Sequence, residues 1–160
     1  MTRSHRSVFE SLRKATQEQY PVEIDRGEEH WANWVNGYVV CVREHWVLLQ
    51  SLAENVYVDG YTVLRVADIT GIRVDREGGY IERAVAGLGG RPEVDFHLPD
   101  QAETKDVLRA AADHSSLISV YFEAEEDSPR LVGHLGRLGA KKCEMQLINP
   151  RGVWTAGTSR

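Results

Sequence analysis

The sequence predicts a mainly β chain of the α+β class, built as two small barrel lobes in tandem with an N-terminal helix and a bridging helix. Three observations carry this expectation. From Asn36 to Ile72 apolar and polar residues alternate, the period-two pattern of half-buried strands. Sliding the chain on itself by 96 positions sets Val22 and Ile24 on Ile118 and Val120, Gly37 on Gly133, Val39 on Leu135, Val42 on Leu138, Val47 on Cys143 and Leu49 on Met145. Such a match at one fixed offset is the mark of an internal repeat. Finally, 160 residues with 42% hydrophobic content suffice to bury a core, as one domain or as two lobes.

Each element follows in order. From Arg6 to Gln19 the residues Val8, Leu12 and Ala15 fall at helical spacing, and Tyr20-Pro21 ends the helix. Val22 to Ile24 alternates as a strand, and residues 25–34 read as a loop. Gly37 opens the long alternating stretch, with Val39, Val42, Val47 and Leu49 as inward positions. The parity changes around Arg43-Glu44-His45, as at a tight hairpin. Asp59-Gly60 is a second hairpin signal, and the text to Val74 returns as one or two strands. About five strands with no intervening helix suit a small bent barrel. Tyr80 to Leu88 is a short helical piece followed by a Gly/Pro-rich turn. Residues 102–116 make the strongest helix of the chain, with Leu108, Ala111 and Ala112 on one face and Asp100 or Glu103 near its start. It is expected to bridge the lobes or cover a barrel opening.

The second copy resumes at Leu117. After a short deletion its Arg151-Gly152 falls on Asp59-Gly60, and nothing matches residues 63–72 of the first copy. This second lobe therefore reads as incomplete: it closes differently, leaves an open strand edge, or belongs to a shortened chain. The expected division is 1–20 for the N-terminal helix, 21–76 for the first β module, 77–115 for a helical linker and 116–160 for the second module.

No apolar run approaches the roughly 18 residues of a membrane span, and the basic N-terminus lacks the apolar stretch of a secretion signal. The reading is a cytoplasmic protein without membrane association. Cys41 and Cys143 lie in strand-like text and are expected as free thiols. A net charge of −5 disfavours a surface that coats nucleic acid throughout. The charge is uneven, however: six basic residues between Arg130 and Arg160 face one acid, Glu144.

Motifs for chemistry are weak. Asp113-His114-Ser115-Ser116 has the residue types of a hydrolytic triad, but sequence neighbours do not converge as a triad must. His30 beside Glu28 and Glu29 lacks metal-ligand spacing. Gly133 to Lys142 fails the phosphate-loop pattern. No catalytic, cofactor or metal residue is expected. Trp46 and Trp154 differ, because exposed aromatics beside Lys141, Lys142 and Arg151 suit contact with a partner.

Four stretches, residues 36–52, 59–72, 117–125 and 132–154, resemble a group of uncharacterised bacterial proteins in which two Gly-initiated β modules flank a short helix. The pattern Gly37-x-Val39-x-x-Val42, a turn, and Trp46-x-Leu48, then Leu64-Arg65 and Ile69, also resembles Sm-like and, more broadly, SH3-like barrels. That resemblance implies a fold, and RNA binding in some of its members. Arg43, Val47 and Val66 stand where Sm-like RNA binders carry other residues, so no uridine-binding site carries over.

The expected function is a non-enzymatic binding protein acting through protein contacts, an adaptor or an immunity or antitoxin-like protein, with a protein partner or self-association through a strand edge. Single-stranded RNA or DNA binding through the basic C-terminal lobe is the alternative. An enzyme without a recognisable motif is the third.

Overall fold

Helical spacing at the N-terminus and alternation beyond it translate into a helix laid on a sheet, and this happens twice. The computed structural model describes residues 3–27, 34–74, 79–121, 130–140, 142–155 and 158–159. It comprises two units, Met1–Gln101 and Ala102–Arg160.

In the first unit, α1 (Arg3–Glu18) precedes β1 (Pro21–Asp25), β2 (Trp34–Val42), β3 (Trp46–Ala53), β4 (Tyr57–Arg65), a 3-10 turn (Val66–Asp68), β5 (Gly71–Val74) and α2 (Tyr80–Gly87). The five strands form one antiparallel sheet in the order β4-β3-β2-β1-β5. Flat, such a sheet would hold its edge strands about 19 Å apart, four spacings of about 4.8 Å. Only residues 66–70 join β4 to β5, and three of them are wound in the 3-10 turn, so the sheet must curl. Its concave side collects Val22, Ile24, Val39, Val47, Leu49, Leu64, Val66 and Ile69 around Val8, Leu12 and Ala15 of α1. Leu12 and Ala15 are fully buried there, as the heptad-like spacing requires.

The second unit holds α3 (Thr104–His114), β6 (Ile118–Val120), β7 (Leu131–Leu138), β8 (Cys143–Leu147) and β9 (Thr158–Ser159), with sheet order β6-β7-β8-β9. Leu131, Leu135 and Met145 form its core, with Leu108 and Ala112 of α3 packed against them. The Glu103 amide donates to the Asp106 carboxylate at 3.0 Å and starts the helix.

The two registers coincide at an offset of 96. Val22 pairs Gly37 and Ile118 pairs Gly133; Val39 pairs Leu49 and Leu135 pairs Met145; Val42 pairs Val47 and Leu138 pairs Cys143. Leu52–Val58 recurs as Ile148–Trp154, and Leu49–Thr62 as Met145–Thr158. No deletion is therefore needed, and Arg151-Gly152 does not correspond to Asp59-Gly60. Asp59-Gly60 is itself no hairpin turn. It lies within β4, and the β3–β4 chain reversal is made at Glu54 and Asn55, both with positive φ (48° and 66°). The helix read from the sequence as a bridge ends at His114, 96 positions after the end of α1, and carries Leu108 and Ala111 where α1 carries Leu12 and Ala15.

Neither sheet closes into the barrel expected from the sequence. Among the described residues β4 and β5 are the edges of the first sheet, because the 3-10 turn spans the gap between them without a ladder.

One steric fact recurs in both units. A Cβ on Gly37 would stand 2.5 Å from the Gln50 carbonyl oxygen, and one on Gly133 would stand 2.1 Å from that of Gln146. Either contact is far inside van der Waals distance, so only glycine lets the paired strands approach this closely. Gly37→Ala and Gly133→Ala are each expected to destabilise by roughly 1–3 kcal/mol in denaturant unfolding. Gly87→Ala, in open space at the end of α2, is expected to be neutral or slightly stabilising.

Candidate functional site

Of the residues singled out by sequence, Trp46 lies in the first unit, and those described in the second unit fall at opposite ends of β8. Trp46 is half-buried at the start of β3, opposite Arg65. Lys142 is exposed immediately before β8, where its carbonyl accepts from the Gly139 amide. Arg151 and Trp154 lie beyond the far end of β8, in the turn that Asn149 organises by accepting from the Arg151 and Val153 amides. Six residue steps at about 3.3 Å put Lys142 on the order of 20 Å along the strand from Ile148, the bridge partner of Trp154. Lys141, His30 and Trp31 lie outside the described residues.

The motif candidates are absorbed by structure. Gly133 and Gly136 are strand residues of β7. Asp113 and His114 close α3, and the Ser115 hydroxyl donates to the Leu117 carbonyl at 2.9 Å. Cys41 and Cys143 are free, half-buried thiols. Among the described residues no group of three or more His, Cys, Asp or Glu side chains could hold a metal ion, and no helix is long and apolar enough to cross a membrane.

Two further arrangements stand out, one unread in the sequence and one expected there only as an open strand edge of the second lobe. The first is a strap. Residues 90–99, without helix or strand, cross the outer face of the first sheet along the row Tyr38–Gln50–Tyr61. The Arg91 guanidinium lies 4.5 Å from the centre of the Tyr38 ring and donates to Gln50 and Gln19. Gln50, only 2% exposed, donates to the Pro92 carbonyl at 3.2 Å. Tyr61 donates to Asp95 at 2.8 Å and meets Phe96 edge-on. Arg43 donates to the Leu98 and Pro99 carbonyls and pairs with Asp100 at 3.1 Å. Burial, and Glu82 after it, pushes the Tyr38 phenol up; burial does the same for Tyr61 and lowers Arg91. This is a polar seam that fastens the strap to the sheet, buried at Gln50 and open to solvent at Asp95 and Asp100.

The second arrangement is the outer edge of β6. Its counterpart β1 is flanked on both sides, by β2 and β5, whereas β6 is flanked by β7 alone among the described residues. Exposure follows. Val22 and Ile24 are buried but Ile118 and Val120 are half-buried; Glu23 and Asp25 are half-buried but Ser119 and Tyr121 are exposed. The Val132 carbonyl accepts from the Ile148 amide at 2.9 Å, so Val132 turns its polar groups toward β8. Its partner Ser119 then belongs to a non-hydrogen-bonded pair, and the Ser119 amide and carbonyl point away from β7. The first unit agrees: the carbonyl of Asp25, two residues from Glu23, accepts from the Thr70 amide on the β5 side at 2.8 Å. Above this edge the Arg130 guanidinium donates to the Ser119 hydroxyl at 3.1 Å and lies 5.4 Å from the centre of the Tyr121 ring. The repeat itself carried the signal for this edge, because residues 117–121 copy β1.

Comparison with known protein families, curated proteins and solved structures yields no match.

Two outcomes test the seam. Arg91→Ala leaves the Gln50 side-chain oxygen buried without its donor and is expected to cost roughly 1–3 kcal/mol, with faster amide exchange confined to the strap. The fold holds the Tyr38 and Tyr61 protons more tightly than the unfolded chain does. Their contribution is complete below the ordinary phenol value of 10.0 and is lost as pH rises through the raised values. Unfolding free energy is therefore expected to fall above that pH, and Tyr38→Phe with Tyr61→Phe to flatten the slope.

Proposed function

We propose that this chain is a non-enzymatic binding protein made of two Sm-like or SH3-like modules, the second of which takes an extended segment of a partner protein onto the edge of β6. The strand order β4-β3-β2-β1-β5, preceded by a helix and interrupted by a 3-10 turn before its last strand, supports the module reading. The observation that carries the functional reading is the outward Ser119 amide and carbonyl at a position where the first unit has a covering strand. An exposed ladder edge is a template for strand addition. Main-chain hydrogen bonds supply affinity in that mode, and pockets for alternate side chains supply selectivity.

Single-stranded nucleic-acid binding is the weaker reading. It asks Lys142, Arg151 and Trp154 to act as one surface, and β8 separates the first from the other two.

Ser119→Pro tests the proposal with little structural cost, since proline removes an amide that β7 does not use and one exposed hydroxyl contact with Arg130, and is tolerated on edge strands. Tagged wild-type chain is expected to retain a protein partner from its host through nuclease treatment. Ser119→Pro is expected to lose it while unfolding within about 1 kcal/mol of wild type, and Arg151→Ala to keep it. Retention by Ser119→Pro, or loss of the bound material on nuclease treatment, contradicts the proposal.

A further inference from the structure

We infer that the segment accepted by β6 carries an acidic residue between two aliphatic ones, a selectivity that rests on the strand-addition reading above. The first unit shows what a covering strand looks like at this position. β5 lies antiparallel to β1 with Val74 on Val22, Arg73 on Glu23 and Ile72 on Ile24. Its aliphatic residues Ile72 and Val74 turn inward and join the core. Arg73 turns outward, pairs with Glu23 at 3.3 Å and lies 4.2 Å from the centre of the Trp34 ring.

In the second unit the same three outward positions are rewritten. Ser119 replaces Glu23, Tyr121 replaces Asp25 and Arg130 replaces Trp34. The cation that the first unit receives from its fifth strand is thus already present in the second, supplied by the residue that leads into β7. Arg130 reaches Ser119 through two of its five N–H groups, from Nε and Nη2 at 3.4 and 3.1 Å. A residue lying opposite Ser119 on an added strand stands within reach of the remaining donors. A basic residue there, the counterpart of Arg73, would meet a like charge across the ladder, and a carboxylate would meet a charge-assisted donor. The flanking positions, counterparts of Ile72 and Val74, face a core whose edge residues Ile118 and Val120 are half-buried and ready to be covered. The accepted pattern is therefore aliphatic–acidic–aliphatic in an extended, antiparallel strand.

The same charge argues against a second copy as the occupant. Edge-to-edge pairing of two β6 strands about a two-fold axis at Ser119 brings both Arg130 guanidinia to one stretch of ladder, where they repel.

The test titrates three synthetic seven-residue peptides, alternating Val and Thr with Glu, Gln or Lys at the centre, into isotopically labelled full-length chain at low salt. The readout is the Ser119 amide resonance, which registers weak binding. The expected order is Glu over Gln over Lys, with about tenfold between the extremes. Arg130→Gln removes the discrimination and Arg130→Glu reverses it. Equal binding of all three peptides overturns the acidic preference while leaving strand addition intact. No Ser119 response to any peptide overturns strand addition itself. A Ser119 shift that depends on protein concentration alone identifies self-pairing and overturns the inferred partner.

Discussion

The close passage of Gly37 over the Gln50 carbonyl, repeated by Gly133 over that of Gln146, is the constraint on which the architecture depends. Slipping the β2–β3 register by one residue would place a side chain where no side chain fits, and would also turn every inward residue outward. With the register held, the rest follows. Val39, Val47 and Leu49 face α1, and Leu135 and Met145 face α3. Tyr38 and Gln50 are left on the opposite face of the first sheet, as are His134 and Gln146 on that of the second.

From this shared register the units diverge in what covers their other surfaces. The outer side of β3 carries Leu48, Gln50 and Leu52, all buried. Apolar and amide surface of that kind needs cover, which the first unit supplies with α2 and the strap. Of their counterparts in the second unit, Glu144 and Gln146 are exposed and polar, served by solvent without cost, and only Ile148 is apolar and half-buried. A second divergence lies at the lateral edge. β1 is an interior strand, its outward Glu23 neutralised by Arg73. β6 is an edge among the described residues, its outward row recast as Ser119, Tyr121 and Arg130. Edge strands are commonly guarded by charge against indiscriminate pairing. Arg130 meets that description and, by the same electrostatics, selects which strand is admitted.

Much of this was legible in sequence, and the misses have physical causes. α1 could be read from Val8, Leu12 and Ala15 because a helix buries one stripe. The Arg43–His45 hairpin showed as a change of parity. The repeat was visible because Gly37 and Gly133 answer one steric need. Closure into a barrel was not legible, since alternation reports which face a residue takes and not whether two edge strands meet. Asp59-Gly60 misled because a positive-φ glycine also suits the interior of an irregular strand, whereas Glu54 and Asn55 adopt positive φ without the glycine that advertises a turn. Trp46 and Lys142 are repeat counterparts, each where the third strand of its unit begins, and sequence spacing alone did not show that they answer the same position. The strap was illegible for another reason: its hold depends on Arg91, Asp95 and backbone carbonyls spaced to match a row of the sheet, a correspondence with no local pattern.

Amide hydrogen exchange in the free chain, compared between Ser119 and its repeat counterpart Glu23, tests the central claim most directly. The account predicts that Glu23, laddered to β5, exchanges slowly, and that Ser119 exchanges orders of magnitude faster while its β7-bonded neighbours Ile118 and Val120 stay protected. Protection of Ser119 equal to that of Glu23 would mean the β6 edge is already covered, and would contradict the account.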